Sequence, residues 1–314
     1  MRLGLAPRTL KVYDAAWAQY ADFCDDMSVP ACPVDVSVMC AFISSRVDAR
    51  DLRYPSVAAL VAGVQFHARC LDPSAGSLFS NPSIRLLLQG IKRARPCRRD
   101  SRLPLSIQSV HSTVALLRGG RFGPFLDLML EAVILVAFFG FLRIGEFASD
   151  TGVFDARRTL RIADVSMGRS CLFINLKQSK ADREGKGCAV AIARSNTSFC
   201  PFSSMYRYLC VRNASSAGEP LFVSRLGRPM SRAWFSSRFR LLCSWCGLDP
   251  LRYTPHSLRI GGATAMAQFV SPAVLKSMGR WSTDAFERYV RPAPNDIIAA
   301  QIHLGRSLTP TGAR

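Results

Sequence analysis

Apolar residues recur at three- and four-residue spacing from Pro7 to about Arg95, and that period predicts helices. Trp17, Tyr20, Phe23 and Cys24 share one face after the start Pro7-Arg-Thr9. Further periodic stretches run from Val34 to Val47, Val57 to Leu71 and Ser83 to Ile91, each preceded by a Pro or Ser suited to opening a helix. Residues 1–95 therefore read as a small all-helical domain. The pattern then breaks: Lys92-Arg-Ala-Arg-Pro-Cys-Arg-Arg-Asp-Ser-Arg102-Leu-Pro104 is basic, interrupted by proline and without apolar periodicity. It marks an exposed linker over 96–104, either a solvated connector or a strap that tracks phosphates.

Beyond Pro104, helices are predicted near Ser106 to Leu117 and Phe125 to Phe141. The most apolar run, Ala132 to Leu142, is too short to span a bilayer and follows Asp127 and Glu131, so it reads as a buried helix and no membrane segment is expected. Three β-rich runs follow, Thr159–Val165, Cys171–Leu176 and Gly187–Ala193, the last across the polar turn Ser179 to Lys186. Helical patterns resume at Pro201–Val211, Ser231–Cys246, Ser257–Phe269, Pro272–Met278 and Asp284–Val290. The second domain, 105–314, is thus mixed, and the fold class is mainly α with a small antiparallel β-sheet.

Composition agrees with two globular parts, since 314 residues at 49% hydrophobic can bury a substantial core. Charge adds a partner. Lys plus Arg number 41 against 22 Asp plus Glu, a formal charge of +19, which favours a polyanion through counterion release. Lysine occurs only at Lys11, Lys92, Lys177, Lys180, Lys186 and Lys276, so nearly all the positive charge is arginine, whose planar fork grips phosphate bidentately. A GC-rich genome also inflates arginine without any function. The 11 cysteines are scattered and odd in number, and the N-terminus lacks the apolar run of a secretory signal, so reduced thiols and an intracellular protein are expected. Cys243-Ser-Trp-Cys246 has zinc-like spacing, but no second pair follows, and its neighbours Leu241, Leu242 and Trp245 suit a buried helix.

Several segments carry chemistry in a fixed order: Phe138-Phe-Gly-Phe-Leu-Arg143-Ile-Gly-Glu146-Phe, Gln178-Ser-Lys180-Ala-Asp182, His256-Ser-Leu-Arg259, Gly279-Arg-Trp281, and Tyr289 followed by Arg291-Pro292. Two arginines, a histidine and a tyrosine suffice to hold a phosphodiester, move its protons and attack it. Singly, each has a duller explanation. Arg143 would cap a helix end, His256 would open a helix, Tyr289 would pack with Phe286 and Val290, and Lys180 would keep a turn soluble.

Taken in order, these segments resemble the tyrosine recombinases, also called phage integrases, and among them those of eukaryotic DIRS-like and Ngaro-like retroelements, over nearly the whole chain. The resemblance implies that Arg143 and Arg259 clamp the phosphate and that His256 is the base. Tyr289 is the implied nucleophile, forming a 3′-phosphotyrosyl link. It gives the leaving 5′-oxygen its proton from a hairpin lysine, Lys180, with Lys177 and Lys186 as alternatives, and makes Glu146 a buttress. The family places a histidine or tryptophan nine residues before the nucleophile. Counting back from Tyr289 lands on Arg280, with Trp281 next. Either Trp281 fills that place and donates its indole N–H, or Arg280 supplies a third cation.

By the same resemblance the chain is a two-domain recombinase, a helical core-binding domain and a catalytic domain closing as a C-shaped clamp on double-stranded DNA, and a homotetramer on paired sites. Lys92, Arg93, Arg95, Arg98 and Arg99 are the basic residues expected at DNA. The tail Pro294 to Gly305, amphipathic around Ile297, Ile298 and Ile302, would dock on a neighbouring subunit or in cis. No cofactor, metal or small-molecule substrate is expected, and activity should persist in EDTA, because no carboxylate cluster or zinc framework stands out. A nuclear location is expected if the source is a eukaryotic mobile element. Two rivals share these residues: an inactive or domesticated protein that binds DNA without cutting it, and a type IB topoisomerase.

Overall fold

The computed structural model describes residues 4–96, 100–177, 187–224 and 227–290, together with 298, 301 and 302. The chain divides into two compact units, Met1–Asp100 and Ser101–Arg314. The first is built from α1 (Pro7–Asp26), α2 (Val36–Arg50), α3 (Tyr54–Leu71) and α4 (Pro82–Ala94). Proline opens α1, α3 and α4, where its missing N–H costs nothing, and the Asp35 and Asn81 side chains cap α2 and α4. Tyr20, Cys24, Phe42, Ile43, Val57, Val61, Ile84 and Leu88 close over one core, each large side chain contributing about 1.5–3 kcal/mol. In α4, Ile84, Leu88 and Ile91 face inward, while Arg85, Leu86, Gln89, Lys92 and Arg93 face solvent. The helix runs past Ile91, its expected end, to Ala94 and stops short of the 96–104 linker. Ile91 extends the apolar stripe by one more turn. At the end of α4, Arg95 ties the helix down, its guanidinium donating to the Val47 carbonyl at 2.5 Å and Asp51 at 3.1 Å, with Asp48 at 3.5 Å.

The second unit is organised around α6 (Pro124–Phe139), which is buried on nearly all sides and packs against α5 (Ile107–Arg118), α8 (Pro201–Arg212) and α10 (Pro255–Met266). Its buried Glu131 is held by Arg118 at 2.6 Å and by Arg207, which offsets the cost of burying a carboxylate. Strands β1 (Val165–Met167), β2 (Cys171–Leu176) and β3 (Cys188–Ala193) form an antiparallel sheet in that order, with Ile174 opposite both Val165 and Val190. Alternation along β2 buries Leu172, Ile174 and Leu176. The first strand lies later than the sequence predicts. Asp164 folds back to accept the Arg161 N–H at 2.8 Å and takes the Lys177 ammonium at 2.9 Å, so Ile162–Asp164 closes as a 3-10 turn instead of extending.

The remaining elements are α7 (Ile144–Phe147), α9 (Arg232–Trp245), α11 (Pro272–Gly279) and a closing 3-10 helix, Asp284–Arg288. In α9 the inward residues are Phe235, Phe239, Leu242 and Cys243. Leu241 and Trp245, expected to be buried, are 43% and 46% exposed, because α9 carries two apolar stripes and the core covers one. Among the described residues no helix is long and apolar enough to cross a membrane. Of the tail Pro294–Gly305, only positions 298, 301 and 302 are described, with Ile298 and Ile302 exposed.

Candidate active site

Helix α10 presents His256 and Arg259 on one face, three residues apart. It opens with Pro255 in its first turn and with the Thr254 N–H donating to Ser257 Oγ at 3.1 Å. The glycine pair that follows sets its depth. A Cβ at Gly261 would overlap the Leu105 carbonyl, and one at Gly262 the Phe138 carbonyl and the Phe141 ring, so only glycines let α10 seat against the end of α6. That seating places the fully buried Arg259 under the turn after α6. One of its terminal nitrogens donates to the Phe141 carbonyl and the other to the Gly279 carbonyl at 2.6 Å.

Helix α6 stops at Phe139, two residues before the expected end. Phe141 takes a left-handed conformation, φ 48°, at a position where helices usually place glycine. A bulky residue there costs roughly 1–2 kcal/mol. The cost is offset by what its carbonyl receives: Arg259, and the Arg280 guanidinium at 3.1 Å. Two residues on, the Arg143 N–H and guanidinium both bond Glu146, each at 2.8 Å. Arg280, itself left-handed at φ 56° where α11 ends, donates at 2.9 Å to the Glu146 oxygen that also accepts the Arg143 N–H, and to the Gly140 carbonyl at 3.0 Å. Glu146 is therefore shared by two arginines. Burial first, then repulsion from Arg143 and Arg280, pulls the Arg259 pKa below the usual arginine range.

Aromatic rings cover this arginine. The Arg259 Cζ lies 4.4 Å from the Trp281 ring centre and 5.3 Å from that of Tyr289. Tyr289 also meets His256 edge-on at 5.2 Å and Trp281 at 5.1 Å, and its carbonyl accepts the Thr264 hydroxyl at 2.8 Å. The Trp281 indole N–H is buried without a partner among the described residues. Of the residues singled out by sequence, the structure thus gathers His256, Arg259, Trp281 and Tyr289, and joins Arg143, Glu146 and Arg280 to them through the Phe141 turn. Arg280 spends both terminal nitrogens on protein acceptors.

The hairpin lysines separate. Lys177 is held at the base by the Ala156 carbonyl at 2.7 Å, the Thr159 carbonyl at 3.0 Å and Asp164 at 2.9 Å. Lys180 and Lys186 lie outside the described residues. In the first unit Lys92 and Arg93 are exposed, Lys92 with its ammonium 5.6 Å from the Tyr54 ring centre. Arg95 is engaged in the ties already described, and Arg98 and Arg99 lie outside the described residues. Sequence reasoning passed over Arg85 and Gln89, which share the solvent face of α4 with Lys92 and Arg93. A signal was there: between Asp72 and Asp100 the chain has no acidic residue. Among the described residues no group of three or more His, Cys, Asp or Glu side chains is placed to hold a metal ion.

Comparison with known proteins gives the family and the fold. The phage integrase family model matches residues 126–295, more than half of the chain. Solved structures with a similar fold include XerA recombinase (16% identical, 96% of this chain and 92% of that one, TM-score 0.51). The Tn1549 transposon integrase in complex with transposon right end DNA is 16% identical over 88% of this chain and 87% of that one, TM-score 0.56. A lambda integrase dimer bound to a COC′ core site is 15% identical over 91% and 72%, TM-score 0.59. At these identities the likeness is one of fold. No curated protein sequence matches the chain.

Proposed function

The chain belongs to the phage integrase family, and from that premise we propose that it is a site-specific DNA recombinase whose nucleophile is Tyr289. The Tyr289 oxygen attacks the scissile phosphorus, a new P–O bond forms to the tyrosine, and the bond to the 5′-oxygen breaks. The 5′-oxygen leaves as a hydroxyl after taking a proton, and its later attack on the phosphotyrosine reverses the step. A free phenol has a pKa of about 10, so His256 takes its proton while Arg143 and Arg259 meet the charge spread over the nonbridging oxygens. Lys180 supplies the leaving-group proton. Lys177 is the weaker choice, because its ammonium already has three acceptors. Trp281 donates its unpartnered indole N–H to a phosphate oxygen.

The observation that carries this reading is the packing of Tyr289 against Arg259 and His256 within one chain, so no second copy is needed to bring the nucleophile in. The partner is double-stranded DNA, met in the first unit by the α4 face of Arg85, Gln89, Lys92 and Arg93, and recombination pairs sites within a homotetramer. An origin in a eukaryotic DIRS-like element, with action in the nucleus, fits the Gly279-Arg-Trp281 and Tyr289-Val-Arg291 wording. One observation favours the rival, a protein that binds DNA without cutting. Arg259 is fully buried under two rings, which must turn aside before a phosphate reaches it.

A nicked suicide substrate carrying the element's terminal repeat decides between them. Recombinase activity gives a gel-stable protein–DNA adduct in EDTA that Tyr289→Phe abolishes. Absence of any adduct at authentic sites selects the binder, and relaxation of arbitrary supercoiled DNA by a monomer selects the topoisomerase.

A further inference from the structure

Arg280 stands nine residues before the proposed nucleophile, yet its guanidinium faces away from any open space and into the protein. It bridges the Gly140 and Phe141 carbonyls, at 3.0 and 3.1 Å, to Glu146 at 2.9 Å. Its side chain is 11% exposed and that of Glu146 is 3% exposed. The same carboxylate receives the Arg143 backbone N–H and guanidinium, and the same Phe141 carbonyl receives Arg259. Both arginines proposed to hold the phosphate are therefore fixed through acceptors that Arg280 also holds.

We propose that Arg280 is a positioning residue for the recombinase reaction, a brace that binds the turn Gly140–Glu146 to the segment leading into Tyr289 and thereby sets the direction of Arg143. The proposal rests on the recombinase reading and departs from a role as a third phosphate-binding cation. Three physical points support it. A carboxylate shared by two guanidiniums is held on both sides, so Arg143 cannot rotate with Glu146 as a free pair would. The left-handed Phe141 turn is unfavourable alone and persists because its carbonyl is bound by two cations, one of them Arg280. Arg280 also belongs to the segment that continues through Trp281 to Tyr289, so one side chain links nucleophile and clamp. Misplacing a reacting group by about 1 Å costs about 10²-fold in rate, which is the size of effect expected from losing such a brace.

The test compares Arg280→Met and Arg280→Lys, each as prone to the left-handed backbone as arginine, with Glu146→Gln and the double variant. Adduct formation is timed at saturating nicked DNA, on a normal phosphodiester and on a neutral methylphosphonate at the scissile position. The expected result is a loss on the order of 10²-fold in rate for Arg280→Met on the phosphodiester, DNA affinity within a few-fold, and a smaller loss on the methylphosphonate, because Arg143 acts on the charge that this substrate lacks. Arg280→Lys, which reaches Glu146 but cannot bridge the carbonyls, recovers part of the rate. The double variant is no slower than the worse single one, because both changes remove one brace. An undiminished loss on the methylphosphonate would mean that Arg280 does not act through Arg143 and would overturn the proposal, as would a loss that adds in full to that of Glu146→Gln, or an unchanged rate.

Hydrogen exchange gives a readout that does not need activity. The 142–148 segment, where the Arg143 N–H is held by Glu146, should exchange faster in Arg280→Met while β2 stays protected. Unchanged protection there would also overturn the brace. If the wild type forms no adduct, the recombinase reading fails, and exchange alone decides whether Arg280 holds the turn.

Discussion

Arginines in the two units are used in opposite ways. On α4, Arg85 and Arg93 stand exposed to solvent with Lys92. Around Phe141, three arginines are turned inward, one of them fully buried, and their terminal nitrogens meet backbone carbonyls or Glu146. Exposed guanidiniums act through a screened field and lose little when moved an ångström. Buried ones have been desolvated during folding and are held in a set direction, so a shift of an ångström changes what they meet. A net charge of +19 therefore says that the chain suits a polyanion, and only the inward set can discriminate one oxygen from another.

The sharpest way to break this contrast is Arg259→Leu. It should lower the rate of adduct formation 10²–10³-fold. It should also lower unfolding stability by on the order of 3 kcal/mol, because the Phe141 and Gly279 carbonyls are left buried and unpaired. Urea denaturation reads the second effect. Full stability in this variant would show that the inward set is not structural. Arg93→Ala should behave oppositely, with stability within about 0.5 kcal/mol of wild type. Its plot of log affinity against log salt should lose about one unit of slope, and an unchanged slope removes Arg93 from the DNA face.

Arg95 tests the boundary between the classes. Although it sits among the basic residues ending α4, it is tied to Val47, Asp48 and Asp51, so Arg95→Ala should cost about 1 kcal/mol of stability and leave the salt slope alone. The smallest effect concerns the hairpin base. Burial pushes the Asp164 carboxyl up, but hydrogen bonds from Arg161 and Lys177 outweigh it and hold its pKa below the ordinary value. A depressed folded pKa means the contribution is complete above the unfolded value of about 3.9 and is lost as pH falls through the folded one. Asp164→Asn should thus lie below wild type by about 1 kcal/mol at pH 7 and converge with it under strongly acid conditions, read as urea midpoints. A gap that persists in acid would assign the stabilisation to something other than the carboxylate charge.

Helices were legible wherever a single apolar stripe recurs, as in α4, where Ile84, Leu88 and Ile91 state both the element and its buried face. Legibility failed where a second signal competed. In α9 two apolar stripes are present and the period does not say which one the core covers, so Leu241 and Trp245 were misplaced. At Thr159–Val165 β-propensity was outweighed by one carboxylate, Asp164, folding back on Arg161. In the candidate site, His256 and Arg259 could be paired from their three-residue spacing, and Tyr289 from its place in the order. Arg280 could not be understood that way, because its direction follows from left-handed backbone at Phe141 and at Arg280 itself, which residue type does not announce.

The chain alone determined which chemical groups are present, their order, the mainly helical class and the taste for a polyanion. These depend on residue identity and on short-range periodicity. Folding decided which arginine faces solvent, which braces a turn and which lies beneath Trp281 and Tyr289. Those outcomes depend on contacts between segments more than a hundred residues apart, such as Arg259 with Phe141, and no local pattern encodes them.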